Sequence, residues 1–197
     1  MKANKRKKEI IFSLCSLFII SILYIGLSKN VYAKNENVII NEKNFPDSYF
    51  REYILDNFDL NNDEILSQEE IDNVYSIDLH EQGIKDVTGI KYFTELEAFY
   101  IENNPIKNLD LSGLKKLKFL NCASNRITNL NLTGLDDLKF LECYKNQLKE
   151  LDLSNLDNLI SINCSNNELS ELNLNGKSEL EFLDCSNNNF ENLNLDE

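Results

Sequence analysis

Residues 117–132 read Leu117-Lys118-Phe119-Leu120-Asn121-Cys122-Ala123-Ser124-Asn125-Arg126-Ile127-Thr128-Asn129-Leu130-Asn131-Leu132, and the same phrase returns every 21 residues. Leu117, Leu138, Leu159 and Leu180 form one column, and Leu120, Leu141, Ile162 and Leu183 a second. The same offset links Cys122, Cys143, Cys164 and Cys185, then Asn125, Asn146, Asn167 and Asn188. It also links Ile127, Leu148, Leu169 and Phe190, and Leu130, Leu151, Leu172 and Leu193. One step earlier the frame holds Leu96, Phe99, Ile101, Asn104, Ile106 and Leu109. A 22-residue step reaches a first unit with Val74, Ile77, Leu79, Gln82, Ile84 and Val87. About six units therefore occupy residues 74–197, the last incomplete. Such a period is the signature of a repeat architecture.

Each unit reads L-x-x-L-x-C-x-x-N-x-L-x-x-L-x-L. Around Leu120 and Cys122 the pattern alternates, which predicts a short strand with those side chains inward. Asn125 turns the chain, its amide able both to donate to and to accept from backbone groups left unpaired at the bend. Leu130, Leu132 and Leu135 point inward on the return side. No unit buries its apolar face alone, so the expected fold is an α/β solenoid with short parallel strands on a concave face.

The motif L-x-x-L-x-C-x-x-N-x-L resembles the leucine-rich repeat family. The 21-residue unit with an inward cysteine is similar to the internalin group of Gram-positive surface proteins, and is internalin J-like in its column of cysteines. That resemblance covers residues 74–197 and implies a fold more firmly than a partner. Two departures stand out: Ile101 where later units carry Cys, and Lys177 where the others carry Leu114, Leu135 and Leu156. The second predicts a repeat pattern decaying toward the end.

Equivalent cysteines on stacked parallel strands lie about 4.8 Å apart and point the same way. A disulfide wants Cβ atoms about 3.8 Å apart. Buried free thiols are expected, with strained neighbour bridges as the alternative. Ligands in a straight line do not make a tetrahedral zinc site.

Residues 34–73 do not fit the repeat. Asn44-Phe45-Pro46-Asp47 supplies a turn and a helix start, and Phe50, Tyr53, Ile54 and Phe58 then fall at helical spacing. The stretch from Asp59 to Glu70 looks like an EF-hand calcium loop between two helices. Asp59, Asn61 and Asp63 would supply side-chain oxygens, Ile65 its carbonyl, Ser67 a direct or water-mediated contact and Glu70 two oxygens. Leu66 sits where a hydrophobe stitches such a loop down. Glu64 stands where the family has Gly, at a left-handed position that costs about 1–2 kcal/mol. Two readings compete: a Ca²⁺ site of about 10⁻⁴–10⁻³ M, or an acidic solvated loop holding no ion. In both, residues 34–73 are expected to cap the open edge of the solenoid. A helical calcium-like segment ahead of leucine-rich repeats is similar to what exported clostridial-type repeat proteins carry.

Outward strand positions should line the concave face in three rows. Ala98, Phe119, Phe140, Ser161 and Phe182 form one, and Tyr100, Asn121, Glu142, Asn163 and Asp184 the next. Glu102, Ala123, Tyr144, Ser165 and Ser186 form the third. Tyr100, Phe119, Phe140, Tyr144 and Phe182, beside Asn121, Glu142 and Asn163, are the candidate contact surface for a protein or glycan, host-derived or otherwise. The competing reading is that sheet-surface aromatics merely stabilise one another.

Residues 1–33 read as a secretory signal. Lys5-Arg6-Lys7-Lys8 precede an apolar stretch from Ile10 to Leu27, and Val31-Tyr32-Ala33 offers cleavage between Ala33 and Lys34. The alternative is an uncleaved anchor. Cleavage would leave a secreted or surface protein with no membrane segment. The leader carries +5, so the other 164 residues of a chain of −13 carry −18. A body that acidic is repelled by phosphate backbones, which argues against nucleic acid. The chain has one His and six Gly, and no HExxH, GxSxG or phosphate-binding glycine loop, so an enzyme is not expected. An extracellular hydrolase and a purely structural repeat fragment are the other readings. The sequence stops mid-coil at Leu195-Asp196-Glu197, which leaves two expectations: a truncated frame, or an uncapped C-terminal edge that self-associates.

Overall fold

The computed structural model describes residues 37–191. The leader, the cleavage position Ala33–Lys34, Leu193 and Leu195 lie outside the described residues. The chain opens with β1 (Val38–Ile39), α1 (Ser48–Asn57), β2 (Ile65–Leu66) and α2 (Gln68–Asp72). The strands β3 (Ser76–Asp78), β4 (Ala98–Tyr100), β5 (Asn108–Asp110), β6 (Phe119–Asn121), β7 (Asn129–Asn131), β8 (Phe140–Glu142), β9 (Ser161–Asn163) and β10 (Phe182–Asp184) follow, with one 3₁₀ turn at Ile90–Tyr92.

Six of these strands form one parallel sheet in the order β3-β4-β6-β8-β9-β10, paired at the repeat offset: Leu120 faces Leu141, and Leu141 faces Ile162. The pair β5–β7 makes a second, two-stranded parallel sheet on the return side. About five stacked turns result, and the fold is that of a leucine-rich repeat solenoid. One continuous core runs through it, with Ile77, Phe99, Leu141 and Ile162 fully buried in the strands and Leu114, Leu135 and Leu156 behind them.

The asparagine column does what its chemistry suggests. Asn146 donates from Nδ2 to the carbonyls of Cys122 and Cys143, both at 3.0 Å, and of Tyr144 at 3.4 Å. Its Oδ1 accepts the Ile127 N–H at 2.9 Å. Asn104, Asn125, Asn167 and Asn188 repeat this, so each links two coils. The residue before each ladder position is left-handed: Glu81, Asn103, Ser124, Lys145, Asn166 and Asn187 all have φ between 52° and 56°. That sharp bend lets the amide reach back across its own turn.

Lys177 does not break the stack. Its side chain is 2% exposed, and its amine emerges at Asp157 Oδ1, 3.0 Å away, and at the Asn175 carbonyl. The aliphatic stem thus fills the leucine column while the charge finds oxygen.

The first helix is capped by Asp47, whose carboxylate accepts from the Tyr49 and Phe50 N–H groups. Phe50 and Ile54 are fully buried. The segment packs on the first coil through several contacts. The Phe58 and Phe93 rings are 5.4 Å apart, Asp47 Oδ2 accepts the Lys85 N–H at 2.9 Å, and Tyr53 Oη accepts the Asp78 N–H at 3.4 Å. Gly89 marks the tightest approach. At φ +104°, a Cβ there would lie 2.5 Å from both the Asn44 carbonyl oxygen and the Phe45 ring.

Candidate functional site

The concave face is built by the outward residues of three-residue strands. Phe119 and Phe140 stack in parallel, with ring centroids 4.5 Å apart and planes 1° apart. Phe119 is 40% exposed and Phe182 53%. Ser161 lies between Phe140 and Phe182 in register, so those two rings are two strands, about 9.6 Å, apart. Ser161 thus places a small hydroxyl side chain between two aromatic positions of the row. Tyr144 is half-buried, with Lys145 Nζ 5.8 Å from its ring centroid, and Tyr100 is half-buried at the far end of the row beside it.

The polar row beside the aromatics is partly committed to the backbone. Asn121 Oδ1 accepts the Ala123 N–H, Asn163 Oδ1 the Ser165 N–H and hydroxyl, and Asp184 Oδ1 the Ser186 N–H and hydroxyl. These side chains terminate strands. Glu142 does not. Burial pushes its carboxyl up, against a lowering hydrogen bond from Asn163 and with a further rise from Asp184.

The third row differs from expectation. Ala123 is fully buried and Ser165 is 4% exposed, because the chain is already bending inward toward its ladder asparagine. Glu102 in that row carries an oxygen, Oε2, that is buried without a hydrogen-bond partner. His80 Nδ1 lies 2.7 Å from Asp78 Oδ1, and that contact is the main reason the imidazole sits above its ordinary value.

The four cysteines among the described residues are free, with Cys122, Cys143 and Cys164 buried and Cys185 partly so. Burial pushes the Cys122 and Cys164 thiols up to about 12, and Cys143 well above its usual value, with Cys122 and Cys164 as its charge neighbours. Such thiols behave as small hydrophobes.

The acidic loop has a defined shape. Asp59 is 6% exposed, its Oδ1 accepting the Asp63 N–H and its Oδ2 the Glu64 N–H. Asn61 Oδ1 also accepts from Asp63 N, and Asp63 Oδ1 from Ile65 N. Glu64 is left-handed at φ 61°. Leu66 is fully buried, and β2 pairs antiparallel with β1. The helix after the loop is a single turn, capped by Ser67 in a reciprocal box with Glu70. Glu70 Oε1 accepts from Leu60 N and Oε2 from the Ser67 N–H and hydroxyl. Burial raises the Glu70 carboxyl, and these hydrogen bonds more than offset that, leaving it below its usual range. The residue types and backbone course thus fit a cation loop. Each acid now serves an N–H, however, and among the described residues no three His, Cys, Asp or Glu side chains stand together as a metal-holding group.

Fold and face together define a leucine-rich repeat protein of internalin-like architecture. The structure is similar to that of an internalin, inlF, from Listeria monocytogenes, with TM-score 0.73 and 26% identity over 80% of this chain and 48% of that one. The chain therefore spans about half the length of that internalin structure. Internalin C2 from the same organism matches at TM-score 0.53 and 23% identity, over 82% of this chain and 81% of that one. The functional domain of InlJ from Listeria monocytogenes, which includes a cysteine ladder, aligns at 23% identity over 81% and 50% of the two chains. Its TM-score is 0.36, too loose to bear on the cysteines here. No protein-family model and no curated protein matches the chain. Among the described residues no helix is long and apolar enough to cross a membrane.

Proposed function

We propose that the protein is an exported, non-enzymatic binding module of a Gram-positive bacterium, and that its concave face captures a protein partner. The observation that carries this reading is the stacked Phe119–Phe140 pair in the same row as the exposed Phe182, with Ser161 between Phe140 and Phe182 in register. A flat apolar or aromatic side chain fits between rings two strands apart. Exposed aromatics ringed by polar groups are what interface anchors look like. Tyr100 and Tyr144 extend the apolar patch, and Glu142, with Asn121 and Asn163, borders it. A glycan is the other ligand class with a flat face to offer such an aromatic row.

Phe119→Ser, Phe140→Ser and Tyr144→Ser combined should abolish capture of surface proteins from host or bacterial extracts while the circular dichroism spectrum stays unchanged. Capture that persists with an intact spectrum refutes the reading. Retention on immobilised glycans but not on protein would replace the protein partner with a sugar.

The segment ahead of the repeats is proposed as their edge cap, and its loop as a low-affinity Ca²⁺ site formed by Asp59, Asn61, Asp63, the Ile65 carbonyl, Ser67 and Glu70. The left-handed Glu64 and the buried Leu66 support this, since both are what such a loop demands. Calcium at millimolar concentration should raise the melting temperature, and Glu64→Gly should strengthen the effect. A melting point unmoved by calcium removes the ion from the account.

A further inference from the structure

On the return side, away from the concave face, the turns of the first three repeat units enclose an open groove of about 650 Å³. Lys85, Lys91, Lys107 and Arg126 line it, with Asp86 and Asp110 as its acids. All four cations are exposed, in a body that otherwise carries a large negative excess. The ion-paired cations among the described residues are Arg51, His80, Lys116, Lys118 and Lys177, and none of the four groove cations is one of them. The repeat puts them together. Ile84 N–H and Ile106 N–H bond successive ladder asparagines, so Lys85 and Lys107 hold equivalent positions one coil apart. Arg126 follows in the next coil, its N–H bonded to the Ile106 carbonyl. The acids already hold donors: Asp86 accepts the Thr88 N–H, and Asp110 accepts from Ser112 N in its own loop and from Asn131 Nδ2 of the next coil. The Asp110 carboxyl is held low chiefly by Ser112, with a smaller contribution from the Lys91 charge.

We propose that this groove binds a compact phosphate or sulfate group, free or carried as an ester on a sugar. The lining holds four cations against two acids, and the Asp47 carboxylate at the Lys85 N–H brings the local charge to about +1, still positive enough to draw one such group. Lysine and arginine donors converging from three coils suit its several oxygens. A long polyanion would have to run onto acidic surface, whereas charges beyond a Debye length of about 8 Å cost a compact anion little. This site is independent of the concave face.

The test is an amide chemical-shift titration of the full chain with inorganic phosphate and with glucose 6-phosphate, at constant ionic strength. Saturable shifts concentrated at Lys91, Lys107 and Arg126 are expected. Lys107→Ser with Arg126→Ser should weaken binding at least tenfold while amides elsewhere keep their positions. Lys139→Ser with Lys149→Ser, which removes exposed cations outside the groove, should change nothing. Tighter binding of the sugar phosphate identifies the ester as the source, and tighter binding of the inorganic ion identifies the free anion. Linear shifts spread equally over Lys139 and Lys149 overturn the proposal, as does tighter binding of heparin than of either compact ligand.

Discussion

Replacing Asn146 with Ala isolates the contribution of one rung of the ladder. The asparagine is 8% exposed and makes four hydrogen bonds across two coils. The carbonyls of Cys122 and Cys143 each have a second amide donor, from Asn125 and Asn167, so both keep one bond. The Ile127 N–H has its bond to Asn146 Oδ1, and it sits on a fully buried residue. Stranding that N–H costs about 1–3 kcal/mol, and the two thinned carbonyls add about 1 kcal/mol each at most, for a total of about 1–5 kcal/mol. Urea unfolding followed by circular dichroism should show the midpoint falling accordingly at an unchanged slope. The exposed Asn155→Ala is the control and should move stability by under about 0.5 kcal/mol. A loss below about 1 kcal/mol for Asn146→Ala would refute the argument that these amides hold the coils together.

Gly89→Ala should cost about 2–5 kcal/mol, the sum of left-handed strain and a Cβ driven into Asn44 and Phe45, measurable as a lowered melting temperature; a near-neutral result would mean this contact is not tight. Lys177→Leu should raise stability by about 1 kcal/mol or more in urea titration, because it restores the leucine column and removes a buried amine, whereas Lys177→Ala should lower it. In the folded protein at pH 8, iodoacetamide should leave Cys122, Cys143 and Cys164 unmodified over hours: a Cys122 or Cys164 thiol near 12 is thiolate in roughly one part in ten thousand, and burial holds the Cys143 thiol well above its usual value. All three should react within minutes in urea, and rapid native labelling of Cys143 would contradict its burial.

The column arithmetic made the sheet register, the core, the ladder and the free thiols legible, because a 21-residue step leaves only one way to stack the units. The corner conformation was harder to read. Of the six left-handed residues ahead of the ladder, Glu81, Ser124 and Lys145 are not residues that favour that region, and only the fixed offset from the ladder position reveals them. Ala123 and Ser165 looked outward by alternation, yet three-residue strands end too soon for that rule to reach them. The acidic loop was readable as an oxygen-rich motif, but the N–H groups that now occupy its carboxylates follow from a backbone course no spacing encodes. The basic groove left no local sequence signal. Lys85, Lys91, Lys107 and Arg126 come from three units, each next to an ordinary core isoleucine of its repeat, and only coil stacking brings them to one place.

The sulfur substructure offers the most direct check on the stacked-coil account. Anomalous scattering from a crystal, collected at long wavelength, should place the sulfurs of Cys122, Cys143 and Cys164 in a single row spaced by about 4.8 Å, with Cys185 continuing it. Sulfurs paired at about 2 Å, or dispersed with no common axis, would contradict it.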